Sequence, residues 1–270
     1  MTSPRELIAK GSKSFALASL FLPNEVRQNI YTLYAWLRHC DDVIDSSGSS
    51  IEDLENLKFQ LVQGTLEPSS VRLKTLIIEK KLPFHYFEDF FEGLRADIDN
   101  KGYDTFAELE IYCYRVAGVV GLIFCSLVKV TSEQALSHAS ALGIGMQLTN
   151  ICRDVLEDAR NNRIYLPREM MKYQFTSEEI TDSPDRSLQI VKYLLAQAED
   201  RYEKGNKGLR YLPFRVAIAV GCASFLYRAI GKKILRNLPQ SLNGRVTVGF
   251  FVKLKCLFLG FFFALRSRVI

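Results

Sequence analysis

This chain has 270 residues, which is enough for one large domain or two small ones with a substantial buried core. Hydrophobic residues make up 48% of it and charged residues 24%, the proportions of an ordinary globular protein. The net charge of +5 suits an anionic substrate or a membrane surface but is too small for a nucleic-acid-binding protein, so we expect no nucleic-acid partner.

Compartment and membrane topology follow from the cysteines and from the lengths of the apolar runs. Six cysteines occur without a CxxC pair, so we expect free thiols in a reducing, cytoplasmic setting. Residues 1–10 lack the apolar core of a signal peptide, and because little chain precedes Gly11, we expect any helix before it to be short or absent. The longest apolar runs, residues 216–227 and 256–265, are too short to span a bilayer, so the protein should not be integral to a membrane.

Helical periodicity recurs along nearly the whole chain, whereas the alternating pattern of strands is almost absent. In chain order the pattern predicts helices at residues 25–46, 51–64, 70–80, 83–100, 105–128, 132–160, 187–206, 212–237 and about 247–266. Pro23 precedes the first, Gly102 can close the fourth and Ser132 can cap the sixth. The loop at residues 46–50 is the clearest break, and nothing resembles a domain linker. We therefore predict one all-α domain over residues 1–270.

Two acidic segments stand out because they lie on predicted core helices. Asp41 and Asp45 are four residues apart, as are Asp154 and Asp158, so each pair points from one face of its helix. A single pair of this kind usually belongs to a solvated surface, but two pairs on helices with largely apolar stretches indicate an internal polar cavity. Mg²⁺ prefers carboxylate and phosphate oxygens, so two facing pairs would clamp such ions around a diphosphate.

Other polar residues accompany each pair. Arg38 lies one turn before the first pair, and Gln147 and Asn150 precede the second pair on the same helix face. Arg153 adjoins the second pair, and Arg163 follows it shortly afterwards. Arginine suits bidentate contacts to phosphate, although each of these arginines could equally form an ion pair along its helix.

Five sequence blocks together resemble the squalene/phytoene synthase family. They occur in family order at residues 11–15 (GSKSF), 33–45 (LYAWLRHCDDVID), 112–118 (YCYRVAG), 147–154 (QLTNICRD) and 157–167 (EDARNNRIYLP), and weaker similarity extends to about residue 250. The first block is most similar to bacterial phytoene-forming members. The resemblance implies an isoprenoid synthase-type helical bundle around a central cavity, and head-to-head condensation of two prenyl diphosphates.

By position, the resemblance also implies individual roles. The residues implied to bind the metal and to be catalytic are Asp41, Asp45, Asp154 and Asp158. The implied cavity wall contains a catalytic tyrosine, Tyr112, with Val116, Ala117 and Gly121. The residues implied to bind the substrate are Ser12, Ser14, Arg38, Gln147, Asn150, Arg153, Glu157, Arg163, Tyr165, Tyr227 and Arg245. The implied cofactor is Mg²⁺, with Mn²⁺ as an alternative, and no NADPH is expected.

Three interpretations of the activity follow. The first is condensation of two geranylgeranyl diphosphates, through a cyclopropyl (prephytoene) diphosphate, to phytoene, the first committed step of carotenoid synthesis. The second is use of farnesyl diphosphate to make dehydrosqualene, squalene or presqualene diphosphate, because one sequence gives no measure of groove depth. The third is a non-catalytic assembly or binding protein of the same fold, which the intact aspartate pairs disfavour. The implied partners are prenyl diphosphates and downstream carotenoid enzymes.

Two aromatic features each allow two interpretations. The first is a set of residues that either line prenyl grooves or belong to the core, with the core favoured for any one of them: Phe87, Phe90, Phe91 and Phe124. The second is the Phe-rich tail at residues 247–270, which contains Lys253, Lys255, Arg266 and Arg268. This tail either lies on the inner face of a membrane as a peripheral element or forms a last helix packed on the bundle.

Overall fold

The computed structural model describes Glu6, Ile8 and residues 11–46, 48–65, 67–171 and 175–268. Over these residues the chain forms helices and no strand, which confirms the all-α prediction. The described α-helices are α1 (Lys13–Ser19), α2 (Asn24–Ile44), α3 (Ile51–Gln63), α4 (Pro68–Lys80), α5 (His85–Asp99), α6 (Phe106–Cys113), α7 (Val119–Leu127), α8 (Glu133–Arg160), α9 (Ser177–Asp182), α10 (Leu188–Asn206), α11 (Phe214–Arg236) and α12 (Phe250–Arg266). The sequence pattern did not predict α1 or α9, because seven and six residues are too few to show a helical period.

Local signals set several helix ends. α2 begins at Asn24, directly after Pro23 and one residue before the predicted start. The Ser132 hydroxyl accepts a hydrogen bond from the Ala135 backbone N–H at 3.3 Å, which confirms its role as the N-cap of α8. The prediction that Gly102 closes α5 is wrong. Asn100 ends that helix at φ 45°, since asparagine also tolerates the left-handed conformation.

The helix predicted at residues 105–128 runs without a break from Phe106 to Leu127, but it is not α-helical throughout. A π-helical segment, Tyr114–Gly118, separates α6 from α7. Such segments often occur at functional sites, and this one lies where α7 approaches α8 closely. A Cβ atom on Gly121 would lie 2.6 Å from the Ala139 carbonyl oxygen, so only glycine permits the approach. The two helices therefore have a fixed separation next to the central cavity.

The apolar core surrounds α8 and continues to α2 and α5. α8 packs extensively against α10, and Leu148 is fully buried at this contact. Trp36 of α2 is enclosed by Phe87, Phe90 and Phe91 of α5, with ring-centroid distances of 5.8, 5.6 and 5.7 Å. All three phenylalanines belong to the core, which was the favoured interpretation, and Phe90 also borders the central cavity.

The tail forms a last helix that packs on the bundle. α12 lies along α11 and buries a stripe of small residues, Cys256, Gly260 and Ala264. Gly260 is so close to the Cys222 backbone that a side chain at this position would collide with it. The opposite face of α12 is exposed.

Two stretches, Phe106–Leu127 and Phe214–Arg236, are long and apolar enough to cross a membrane by length and composition. The core helices of a globular protein pass the same test, and 67% of the apolar window of the second stretch is buried within the structure, against 44% for the first. We interpret both as bundle helices. All six cysteines are free and buried, as expected.

Candidate active site

Three helices direct the carboxylates at their C-terminal ends to one place. Asp41 belongs to the last turn of α2, Asp97 to the last turn of α5 and Asp158 to the last turn of α8. Asp97 interacts electrostatically with both Asp41 and Asp158, so it lies near a member of each predicted pair. A helix C-terminus carries partial negative charge, which makes a carboxylate unfavourable there. Neither α2 nor α5 has a basic residue in its last turn to offset this.

The loop after α8 connects the three helix ends. The Arg163 guanidinium contacts the Asp45 carboxylate and donates a hydrogen bond to the Ile44 carbonyl oxygen at 3.1 Å. The Asn100 side-chain amide, at the end of α5, donates to the Asn162 carbonyl oxygen at 2.8 Å. The predicted aspartate pairs, far apart in the sequence, are therefore brought together by Arg163 and its neighbours.

Asp97 is a site residue that the sequence analysis missed. It accepts hydrogen bonds from the Tyr165 hydroxyl at 2.8 Å and from the Tyr112 hydroxyl at 3.2 Å. The two tyrosine rings stack at a centroid distance of 5.2 Å. One signal was available in the sequence, because Phe90, Leu94 and Asp97 follow steps of four and three along one helix face. An acidic residue that continues a buried stripe is a candidate for a functional role.

The protein does not fully compensate the negative charge of these carboxyl groups in their ionised form, so their pKa values are raised. Burial and the nearby Asp45 raise the pKa of Asp41 to about 7. Burial, with Asp154 nearby, raises the pKa of Asp158 to about 8. Burial also raises the pKa of Asp97 to about 6, although the two tyrosine hydroxyls oppose the shift. Among the described residues, Asp41 and Asp158 form no ion pair.

The other two aspartates are paired with arginines. Asp45 contacts Arg163, as described above. The Asp154 carboxylate accepts a bond from the Arg153 Nε at 2.8 Å, and the Arg245 Nε lies 3.8 Å from the same oxygen. Each predicted pair therefore contains one aspartate that is neutralised by the protein and one that is not.

A cavity of about 710 Å³ lies next to this cluster. Along α8 its lining changes from Leu142 and Met146 to Gln147, Asn150 and Arg153, so the polar part lies toward the carboxylates. The predicted site residues that line it are Ser12, Ser14, Arg38, Asp41, Gln147, Asn150, Arg153, Tyr227 and Arg245. The predicted wall residues that line it are Val116, Ala117 and Gly121, with Phe90 and Phe124 of the four phenylalanines.

The remaining predicted residues lie outside this lining, in or beside the carboxylate cluster: Asp45, Tyr112, Asp154, Glu157, Asp158, Arg163 and Tyr165. Tyr112 was expected on the cavity wall, but its hydroxyl is bonded to Asp97 and its ring is buried against Tyr165. Glu157 is exposed, and its charge contributes to the raised pKa of Asp158. Asp41 lines the cavity and also interacts with Asp45 and Asp97, so it joins the two parts of the site.

Two polar side chains in the cavity stand out: one lacks a hydrogen-bond partner, and the other is very closely packed. The Asn150 side-chain amide donates to the Gln147 side chain at 3.3 Å, but the buried Asn150 Oδ1 has no partner among the described residues. The Tyr34 hydroxyl lies directly against Gly11, where any side chain would collide with it. A buried acceptor without a partner is costly unless a ligand or water satisfies it.

The residues fit a divalent cation that is shared with a ligand. In the part of the chain that the structure describes, no three His, Cys, Asp or Glu side chains form a complete metal site by themselves. Mg²⁺ usually takes one or two carboxylates and completes its shell with phosphate oxygens and water. The uncompensated carboxylates of Asp41 and Asp158 provide hard oxygen donors of this kind.

Comparisons with known proteins agree with this geometry. Residues 8–251 match the squalene/phytoene synthase family. A 15-cis-phytoene synthase of Enterobacter agglomerans is 34% identical over 278 residues, covering 96% of this chain and 94% of the relative. Another from a Paracoccus species is 32% identical and covers 98% and 91%. A solved dehydrosqualene synthase in complex with a ligand is 30% identical, with a TM-score of 0.80 over 98% of this chain and 95% of its own. With its helical bundle, its cavity and these relatives, the chain belongs to the squalene/phytoene synthase family.

Proposed function

We propose that this protein is a prenyltransferase that joins two geranylgeranyl diphosphates head to head and releases phytoene. The observation that carries the proposal is the cavity, whose apolar walls lead to arginines and to carboxylates at three helix C-termini. Two prenyl chains need an apolar compartment, and their diphosphates need positive charge at its end. Identities of 34% and 32% to 15-cis-phytoene synthases over nearly the whole chain support this choice of substrate.

The two aspartate pairs are the proposed cation site, with Mg²⁺ as the ion and Mn²⁺ as the alternative. A cation bound there supplies positive charge that neutralises the diphosphate leaving group. Asp41 and Asp158 are the better donors in the present arrangement, because Asp45 and Asp154 are engaged by arginines. No NADPH is required for a reaction that ends in phytoene.

The arginines and the apolar walls have separate tasks. Arg38, Arg153 and Arg245 line the cavity, and guanidinium groups can bind diphosphate oxygens in a bidentate way. Val116, Ala117 and Phe124 exclude water from the reacting carbons, which protects an allylic cation from being quenched. Tyr112, implied to be catalytic, would act through its hydrogen bond to Asp97.

The proposed reaction has two ionisations. The allylic C–O bond of one substrate breaks, and the double bond of the second substrate attacks the cation. Loss of a proton gives the cyclopropyl diphosphate, which ionises and rearranges in the same apolar space. Loss of a second proton gives phytoene. A dry cavity that remains closed to water through both steps is the main contribution of the fold.

The farnesyl diphosphate alternative has one observation in its favour. A solved structure that is 30% identical to this chain and similar over 98% of it is a dehydrosqualene synthase. The two activities differ in the prenyl chain length that the cavity accepts. They therefore predict hydrocarbons of different length from the same site.

Product analysis tests the proposal. The purified protein is incubated with Mg²⁺ and either geranylgeranyl or farnesyl diphosphate, with and without NADPH, and the extracted hydrocarbons are identified. A C40 product without NADPH is expected. Formation of only a C30 product would establish the alternative. A folded protein that binds the diphosphates but never turns them over would instead be an assembly or binding protein.

Three further points belong to the same proposal. Residues 1–270 act as one catalytic domain, which is supported by the shared packing around α8. The enzyme works in the cytoplasm, in keeping with its six free cysteines. Downstream carotenoid enzymes receive its product, because phytoene is insoluble in water.

A further inference from the structure

We propose that the outer face of α12 docks on an anionic phospholipid bilayer. This outer face consists of Phe251, Leu254, Phe258, Phe262 and Leu265, which form one stripe along the helix. The exposed fractions of these residues are 84%, 55%, 68%, 55% and 46%. The stripe lies opposite the buried small residues that attach α12 to α11. α12 is therefore apolar on the face that contacts the protein and also on the face that contacts water.

The apolar surface is wider than this stripe. Five more large apolar side chains of the same helix are exposed: Phe250, Val252, Leu259, Phe261 and Phe263. Phe250 is 74% exposed. Monomeric soluble proteins rarely expose a continuous apolar patch of this kind unless it binds something. A helix that lies in the membrane interface with its aromatic face buried among acyl chains accounts for the composition.

Charge identifies the kind of surface that the helix meets. After Glu203 the sequence contains thirteen lysines and arginines and no aspartate or glutamate. The rest of the chain has more acidic than basic residues, although the whole chain has a net charge of +5. Lys255 and Arg266 are exposed on α12 itself. Lysines and arginines close to an anionic leaflet are attracted to its negative surface potential.

The same charges argue against a second copy of this chain as the occupant. Two copies that met through α12 would bring together two segments whose charged residues are all basic, and like charges at an interface are costly. An anionic bilayer satisfies both the apolar stripe and the basic residues. It is therefore the occupant that fits both properties of α12.

α12 begins next to the cavity, which suggests how membrane docking would serve the enzyme. The cavity lining includes Val246, Thr247 and Val248, directly before α12, and Lys253 in its first turn. The most exposed residues, Phe250 and Phe251, lie in this same short stretch. A bilayer seated on α12 would therefore lie beside the cavity. If the proposed function holds, an apolar product passes from the cavity to lipid over a short distance.

Vesicle flotation without substrate tests the docking separately from the activity. The full chain is mixed with vesicles of phosphatidylcholine alone, or with vesicles that contain about one-third phosphatidylglycerol. We expect flotation with the anionic vesicles, weaker flotation with the neutral ones, and partial release by high salt. Since no substrate is present, a failure of the proposed phytoene synthesis would leave this result unchanged.

Paired variants separate the stripe from general surface effects. Phe251→Ser with Phe258→Ser should lower vesicle affinity about tenfold or more. The matched control is Phe59→Ser with Ile78→Ser, at positions that are 55% and 66% exposed on other helices, and it should bind like wild type. Lys255→Glu with Arg266→Glu should remove the preference for anionic vesicles, whereas Arg72→Glu with Lys101→Glu should retain it.

Two results would overturn the proposal. One is equal flotation of wild type and the Phe251/Phe258 variant, which would show that α12 does not hold the bilayer. The other is a wild-type protein that floats with neither kind of vesicle but forms a dimer or a complex with another protein, while the Phe251/Phe258 variant does not form it. Circular dichroism of each variant shows whether the helical fold is intact. A variant that loses its fold is replaced by single substitutions at the same positions.

Discussion

The carboxylate cluster and the outer face of α12 violate opposite rules of protein structure. The cluster places Asp41, Asp97 and Asp158 at helix C-termini in a partly buried site, where negative charge is unfavourable. α12 places phenylalanines such as Phe251 and Phe258 in water. Both arrangements cost stability in the isolated chain, and both become favourable with a partner, a cation with diphosphate in one case and lipid in the other. Local violations of this kind commonly mark functional surfaces.

The largest effect is expected when one carboxylate of the cluster is removed. Asp158→Asn or Asp41→Asn should reduce turnover by about a thousandfold, because a cation ligand worth several kcal/mol in the transition state is lost. The metal-free variant should have an unchanged or raised Tm, since the substitution relieves repulsion between carboxylates. Steady-state kinetics and thermal unfolding measure the two effects.

Asp182→Asn, at an exposed aspartate on α9, is the matched control and should behave as wild type in both measurements. Wild-type turnover in either active-site variant would disprove the role of the cluster.

A smaller loss is expected at Asp97, which the sequence analysis missed. Asp97→Asn should lower kcat by about tenfold to a hundredfold, because this carboxylate orders Tyr112 and Tyr165 near the two aspartate pairs. The control on the same helix is Asp99→Asn, whose partner is the exposed Lys101. If both variants lowered kcat equally, Asp97 would have no special role.

The inner face of α12 should respond to substitution through stability, because it is the face that packs on α11. Gly260→Ala should reduce the free energy of unfolding by about 1–3 kcal/mol, because the added methyl group collides with the Cys222 backbone. Gly249→Ala, where no atom lies within 4 Å of the new Cβ, should cost much less. Urea denaturation of the two variants checks this. Equal stabilities would mean that α12 is not held by its small-residue stripe.

The smallest expected effect is a pH dependence of cation binding. The folded-state pKa values of Asp41 and Asp158, about 7 and about 8, lie above the ordinary value of 3.8. The stability that these protonated groups contribute to the metal-free protein is therefore lost as the pH rises from the ordinary value through the folded-state values. A cation should restore it, and protons compete with the cation at lower pH. The rise in Tm on addition of Mg²⁺ should therefore be larger at pH 8.5 than at pH 6. An equal rise in the Asp41→Asn/Asp158→Asn protein would indicate binding elsewhere.

Much of the fold followed from local pattern. Long helices such as α8 and α11 were predicted because their apolar residues recur with a helical period. This period is visible in the sequence whatever elements pack against the helix. α1 and α9 were too short to show that period. The π-helical segment Tyr114–Gly118 was also missed, because residues 117–128 are apolar on every face of the helix and show no stripe whose phase could reveal an insertion.

The site was predicted unevenly for a similar reason. Asp41, Asp45, Asp154 and Asp158 were found because each pair repeats within one helix turn, which a sequence displays directly. Asp97 was missed because its partners, Tyr112 and Tyr165, are 15 and 68 residues away. Tyr112 was assigned to the cavity wall, but only the packing of its ring directs its hydroxyl to Asp97.

From the order of its residues alone, this chain specifies an all-α fold, two aspartate pairs and an aromatic, basic tail. These properties depend on neighbours within about two helical turns, so no long-range contact is needed to recognise them. Tertiary packing alone determines that three helix C-termini meet at Asp97, that only one aspartate of each pair remains uncompensated, and that the tail buries Gly260 while exposing Phe251. These depend on charge and burial contributed by distant segments, which a linear pattern does not contain.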